Sequence, residues 1–252
     1  MRYVSYSFFR HEASAYESER AGAARGRFFV NYLRSLPRAH WSVYSDLKLV
    51  IHHDERVKEY PYFKAIQAME REGLLELVPM GEAKTLTGSM LWRMKAIFRK
   101  DAEIVLCRDL DSLSTPRERI AVERWINSGK AIHVIHDSVS HSGIMGGTLG
   151  IRCSKFKDLF PTWEHMQGSI ENTSVDWNKL GSDQRWLAWN VEPAFSSSEI
   201  LVNTKEMMGP KEDPRDLLCN GVGLAFHVEP VVKYYDEHEP NEKILKCERG
   251  LS

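Results

Sequence analysis

The stretch AEIVLCRDLDS, residues 102–112, passes from an apolar run into two aspartates separated by one leucine. Ile104 to Cys107 are the kind of residues a strand buries on both faces, and Ser112 to Pro116 carry a helix start signal. Asp109 and Asp111 therefore fall at the carboxyl end of a strand, where open α/β sheets bind their ligands. With a strand period of two, both side chains point the same way if the extended conformation persists through Leu110. Aligned carboxylates repel unless a positive charge lies between them, and Mn²⁺ or Mg²⁺ supplies one through oxygen ligation. The competing reading is structural: Asp111 or Ser112 caps the next helix while Asp109 pairs with Arg108.

Outward from this stretch, strand and helix patterns alternate. Residues 2–9 read as a first strand, followed by a polar loop and a helix through GRFFVNYLRSL that Pro37 ends. One strand or two lie within 41–53, a helix in YFKAIQAMEREG stops at Gly73, and LLELVPM is a strand. TLTGSMLWRMKAIFRK is a helix, and STPRERIAVERWINSGK is another, with Pro116 near its first position and Gly129 at its end. AIHVIHD is a strand, HSGIMGGTLGIR a glycine-broken one, CSKFKDLFPTW and LGSDQRWLAWN short helices, and EILVN a late strand. The last forty residues, from Pro210, read as loop. This order predicts an α/β fold with a largely parallel sheet covered on both faces. A haloacid-dehalogenase-like phosphatase, whose aspartate pair belongs on the first strand, does not fit an aspartate pair that follows several strands.

Bulk properties narrow the function. The 252 residues, 42% hydrophobic and 27% charged, suit one large soluble domain. No apolar run approaches the roughly 18 residues that span a bilayer, so no stable membrane insertion is expected. MRYVSYSFFRHE turns polar too early for a secretory segment, and four cysteines without a CxxC pair suit a reducing compartment, which together predict a cytoplasmic protein. A formal net charge of −1 predicts no strong pull toward nucleic acid.

Taken together, LWRMKAI, CRDLDS, PRERIAVERWINSGKAIHVIHD, HSGIMGGTLGIR and GSDQRWL resemble the GT-A superfamily of nucleotide-sugar-dependent glycosyltransferases, and in particular a little-characterised microbial group. The matching pieces cover roughly a fifth of the chain. The resemblance implies a GT-A-like, Rossmann-type mixed and mostly parallel sheet in one domain spanning 1–252. Residues 1–112 would form its nucleotide-binding half, and 113–252 the acceptor-binding half with a C-terminal elaboration. It implies metal-dependent transfer of a sugar from a nucleotide diphosphate, a UDP-sugar ahead of a GDP-sugar, to an acceptor hydroxyl, with retention favoured over an inversion in which Asp137 would serve as base.

Within that frame Asp109 and Asp111 hold the metal, His227 completes the site, and His238 is its substitute. Ser7, Phe9 and Arg10 frame the nucleotide at the first strand, although core packing explains one of the two phenylalanines equally well. Arg93 reaches the donor sugar or its phosphates, a task that suits a planar guanidinium; Asp109 and Asp137 contact the donor. Gly146 and Gly147 allow close backbone approach, and His141 contacts the acceptor. In the matching group arginine usually stands where this chain has His136. Asp183 and Gln184 are the catalytic pair, placed to stabilise an oxocarbenium-like transition state; capping of the helix is the alternative for Asp183.

The acceptor, whether glycan, lipid-linked glycan, protein or modified nucleobase, is open. Two other classes compete: a metal-dependent nucleotidyl or phosphoryl transferase, and a non-catalytic nucleotide-sugar or glycan-binding protein.

Overall fold

The computed structural model describes residues 1–9, 22–60, 62–110, 112–138, 141–171, 175–179, 181–217, 234–235, 237–238 and 241–249, with side chains in the first helix from Leu33 onward. Its centre is a seven-stranded sheet. The strands are β1 (Arg2–Phe8), β2 (Lys48–His53), β3 (Glu76–Pro79), β4 (Ile104–Arg108), β5 (Ile132–His136), β6 (Thr148–Arg152) and β7 (Ile200–Thr204). Their order across the sheet is β3-β2-β1-β4-β6-β5-β7. Every pairing is parallel except those of β6, which runs antiparallel to both β4 and β5. The fold is thus a mixed α/β arrangement with a mostly parallel sheet flanked by helices.

Alternation along the strands divides the core in two. Tyr3, Val50, Val105, Cys107, Val134 and Leu149 pack on one face, with α5 (Cys153–Leu159), α6 (Trp163–Glu171) and α7 (Ser182–Asn190). Val4, Tyr6, Phe8, Leu49, Ile51 and Leu106 pack on the other, with α1 (Gly22–Val43), α2 (Phe63–Arg71), α4 (Pro116–Ser128) and the helix Glu242–Arg249. Each fully buried large apolar side chain contributes about 1.5–3 kcal/mol. α4 obeys its end signals: Thr115 accepts from the Glu118 N–H, Pro116 opens the first turn, and Gly129 closes it at φ 71°.

Four expectations are refined or corrected. Pro37 lies inside α1 rather than ending it. Beyond the proline the helix is anchored by buried Ala39 and by His40, whose Nε2 meets the Leu47 carbonyl at 2.9 Å, and this packing outweighs the roughly 3 kcal/mol a helix-interior proline costs. Second, of the one or two strands expected in 41–53 the structure has one, β2, and the first residues of that stretch belong to α1. Third, TLTGSMLWRMKAIFRK is a short α3 (Leu86–Met90) followed by a 3-10 helix, Leu91–Phe98. There the Arg93 N–H is drawn to Ser7 Oγ at 2.8 Å, a competitor to the helical ladder. Fourth, the region after Pro210 contains helices at Pro214–Leu217 and Glu242–Arg249. The second docks through Glu248, which accepts from Arg38 at 2.6 Å and from the Tyr62 hydroxyl at 2.5 Å. The short helix read over CSKFKDLFPTW is α5, which stops at Leu159, and α6 from Trp163 onward has no counterpart in the sequence reading.

Among the described residues no helix is long and apolar enough to cross a membrane. Cys107, Cys153 and Cys247 are buried free thiols, and Cys219 lies outside the described residues.

Three buried histidines make stability acid-sensitive. Burial holds His40 down to about 4, and His52 and His133 down to about 3, helped by Lys95 near His52 and Arg108 near His133. An unfolded imidazole titrates near 6.5, so below that pH the unfolded chain takes up protons that the folded one refuses, and stability falls with pH. Each histidine contributes up to about 1.4 kcal/mol per pH unit. In urea melts the loss of stability between about pH 6.5 and 5 is expected to be shallower in His133→Gln by about that slope; an unchanged slope would refute a neutral buried His133.

Candidate functional site

Register brings the site together. β1 pairs with β4 so that Tyr6 faces Arg108, which sets Ser7 beside Asp109. β6 runs the other way, with Thr148 opposite Arg108, so the residue just before β6 comes back against the residue just after β4. Those residues are Gly147 and Asp109. Continuity of the hydrogen-bonded ladders thus places Ser7, Asp109 and Gly147 at one sheet end.

Arg93 fills the space between them. Its guanidinium is buried, donates through Nη1 to Asp109 Oδ1 and, at 3.3 Å, to the Arg108 carbonyl. Nη2 lies 3.5 Å from Asp183 Oδ2 on α7. Ser7 sets this geometry from behind, accepting from the Arg93 N–H and donating to the Met90 carbonyl at 3.0 Å. The two glycines form the opposite wall. A Cβ on Gly146 would sit 2.7 Å from Arg93 Nη2 and 3.3 Å from Asp183 Oδ2, and one on Gly147 would overlap Asp109 Oδ2. Only glycine permits this approach.

The charges are mutually dependent. Burial works to lower the Arg93 pKa, but the carboxylates of Asp109 and Asp183 outweigh it and the net shift is upward. Burial raises the carboxyl of Asp183, with Arg93 opposing and Asp109 adding to the rise. Asp183 is almost wholly enclosed, whereas 37% of the Asp109 side chain is exposed. Arg93 Nε and Nη2 and Asp183 Oδ1 are buried without a hydrogen bond in the protein. Buried polar atoms are nearly always satisfied, so this donor and acceptor without hydrogen bonds are exceptions to the rule.

The structure thus assembles six of the residues singled out in the sequence: Ser7, Arg93, Asp109, Gly146, Gly147 and Asp183. Phe9 is half-buried, edge-on to Trp92 with ring centroids 6.0 Å apart. Gln184 lies on the exposed side of α7, and its backbone N–H supports the Asp183 carboxylate. Asp137 is bound bidentately by Arg117 at 2.7 and 2.6 Å and is buried. Its N–H donates at 3.2 Å to His141 Nδ1; His141 is buried, and burial together with His136 lowers its pKa. His136 itself contacts the Gly143 carbonyl through Nε2 at 2.8 Å.

Arg10, Asp111 and His227 lie outside the described residues, as does their relation to a metal. Among the described residues no group of three His, Cys, Asp or Glu could hold an ion. Two local expectations change. The chain turns after Asp109, whose carbonyl accepts from the Ser112 N–H at 3.0 Å, so the extended alternation does not run through Leu110. Arg108 points to the opposite face, where Glu118 binds it at 2.7 Å, and leaves Asp109 to Arg93.

Arg117 escaped the sequence reading. A signal was present: a cation in the first turn of a helix opposes the helix dipole and calls for a carboxylate nearby.

No protein-family model and no curated protein matches the chain. Among solved structures it is similar to S. aureus TarS 1–349, at 12% identity over 80% of this chain and 58% of that one, with TM-score 0.44. It is also similar to 4-diphosphocytidyl-2C-methyl-D-erythritol synthase from Anaerococcus prevotii, at 10% identity over 83% and 88% of the two chains, TM-score 0.45. A third is a glycosyltransferase involved in glycosylation of the major capsid of PBCV-1, at 15% identity over 80% and 99%, TM-score 0.41. The chain thus spans less than two thirds of the length of the first of these. Identities this low say nothing of activity or substrate.

Two stability measurements check the packing. Arg93→Met leaves Asp183 buried without its cation and is expected to cost about 3–5 kcal/mol, much of it recovered when Asp183→Asn is added; no recovery would contradict the pairing. Gly147→Ala is expected to cost about 1–3 kcal/mol and clearly less in an Asp109→Ala background, where the blocking oxygen is gone. Equal costs in both backgrounds would contradict the close approach.

Proposed function

We propose that the chain is a glycosyltransferase that moves a sugar from a nucleotide diphosphate, UDP in preference to GDP, to an acceptor hydroxyl, with retention. The observation that carries this reading is the buried Arg93 between Asp109 and Asp183, with an unfilled donor and acceptor facing a wall of two glycines. An open Nη2 and an open carboxylate oxygen suit hydroxyl groups, which both donate and accept. Arg93 holds the donor, and Asp183, with Gln184 beside it, stabilises the positive charge that develops at the anomeric carbon.

Mn²⁺ or Mg²⁺ belongs to the same proposal. Asp109 fits such an ion as a partly exposed oxygen donor at a strand's carboxyl end, with Oδ1 committed to Arg93 and Oδ2 turned toward Gly147. Asp111 and His227 are the proposed further ligands. The ion would neutralise charge on the departing diphosphate. Enclosure by the glycine wall limits water at the reacting carbon, and the acceptor approaches past His141.

A thermal-shift panel of UDP-, GDP-, CMP- and dTDP-sugars, with and without Mn²⁺, tests this reading, because a ligand that binds only the folded chain raises its melting temperature. A UDP-sugar at about 100 times its dissociation constant is expected to stabilise the protein by about 2.7 kcal/mol, dependent on Mn²⁺ and abolished in Asp109→Asn. Turnover should release nucleoside diphosphate. Release of pyrophosphate would replace the proposal with nucleotidyl transfer, binding without turnover across an acceptor panel would favour a non-catalytic binder, and no shift with any donor would sink the sugar-transfer reading and favour the non-sugar ones.

A further inference from the structure

We propose that Arg117 is a positioning residue for the candidate site, joining the glycine wall to the segment that follows β7. The inference deepens the function proposed above and rests on it for its catalytic consequence alone.

The geometry is that of a pin. Arg117 stands in the first turn of α4, where the helix dipole disfavours a cation, and its side chain is 4% exposed. All of its nitrogens are used. Nη1 binds both oxygens of Asp137 at 2.7 and 2.6 Å, Nη2 donates to the Lys205 carbonyl at 3.0 Å, and Nε donates to the Gly209 carbonyl at 2.9 Å. The Arg117 backbone N–H donates to Asp216 Oδ1 at 3.2 Å. One residue therefore grips the short helix Lys205–Met208 at both ends, together with the start of the following turn, and ties both to the carboxyl end of β5.

Asp137 carries the constraint to the site. Its N–H donates to His141, whose own N–H donates to the Ser138 carbonyl at 3.0 Å. The same loop goes on to Gly146 and Gly147, which abut Arg93, Asp183 and Asp109. A guanidinium can hold a carboxylate and two carbonyls in one plane, whereas an ammonium cannot reproduce that fork. Asp137, enclosed and doubly bound, acts as the anchor of the loop.

Arg117→Lys and Asp137→Asn, which both preserve bulk, test the proposal by hydrogen–deuterium exchange of the full chain, with α2 as the remote control. Both variants are expected to speed exchange in 136–148 and in 205–217 by roughly tenfold or more, equivalent to about 1.4 kcal/mol of local opening, and to leave α2 unchanged. Faster exchange in 205–217 alone, or in neither segment, would overturn the link to the glycine wall. Unfolding of Arg117→Lys leaves Asp137→Asn to decide the question by the same readout. With a donor that the wild type turns over, kcat should fall on the order of 100-fold while KM stays within about threefold, and the double variant should be no worse than either single one. A normal kcat in both variants would leave Arg117 with a merely structural role. Absence of any wild-type turnover would count against the proposed function, while the exchange result would still decide the positioning claim.

Discussion

A buried guanidinium must keep its counter-charges, and in this molecule that requirement organises one end of the sheet. Arg93 is enclosed between the carboxylates of Asp109 and Asp183, which together outweigh the cost of its burial. The three residues come from a 3-10 helix, the end of β4 and the start of α7, elements far apart in sequence. Removing Arg93 leaves the buried Asp183 carboxylate without its cation in a low-dielectric place. Their hydrogen bonds are nonetheless incomplete, and the glycine wall packs close against them. These unsatisfied polar atoms in a charged cluster are what the proposed donor site rests on.

The single reversed strand makes this possible. Had β6 run parallel to β4, its first residues would lie at the opposite end of the sheet, and the glycine pair could not meet Asp109. Antiparallel insertion brings the loop from β5 back over the carboxyl ends, where parallel neighbours leave their ligand-facing loops. Ser7 then locks the 3-10 helix to β1, so the orientation of Arg93 is set by the sheet as well as by its ion pairs. Beneath this layer Arg108, Glu118 and Tyr44 form a buried cluster on the other face, with Tyr44 donating to Glu118 at 2.7 Å. The alternating pleat lets consecutive residues Arg108 and Asp109 serve the two faces separately.

Much of this was legible in residue pattern. Strand and helix alternation, the end signals of α4 and the apolar runs of β4 and β5 follow from local chemistry, and they located the sheet and the loop after β4. Glycines 146 and 147, read as points of close approach, do meet other groups closely. The partnerships were not legible, because they depend on register and strand direction: nothing local says that Arg108 turns to Glu118 while Asp109 takes Arg93, or that Asp137 faces Arg117. Pro37 misled for a related reason, since a local helix breaker can be overruled by packing that only the folded chain reveals. The 3-10 geometry of 91–98 arises from a distant serine hydroxyl, a contact that helical periodicity cannot express.

The central claim is that a sugar nucleotide binds at Arg93 and Asp183. A crystal structure of the protein grown with a UDP-sugar and Mn²⁺ tests it most directly. The account predicts sugar hydroxyls within hydrogen-bonding distance, about 2.7–3.2 Å, of Arg93 Nη2 and Asp183 Oδ1, with the diphosphate beside Asp109. A nucleotide bound elsewhere, with those two atoms still unfilled or closed upon each other, would contradict it.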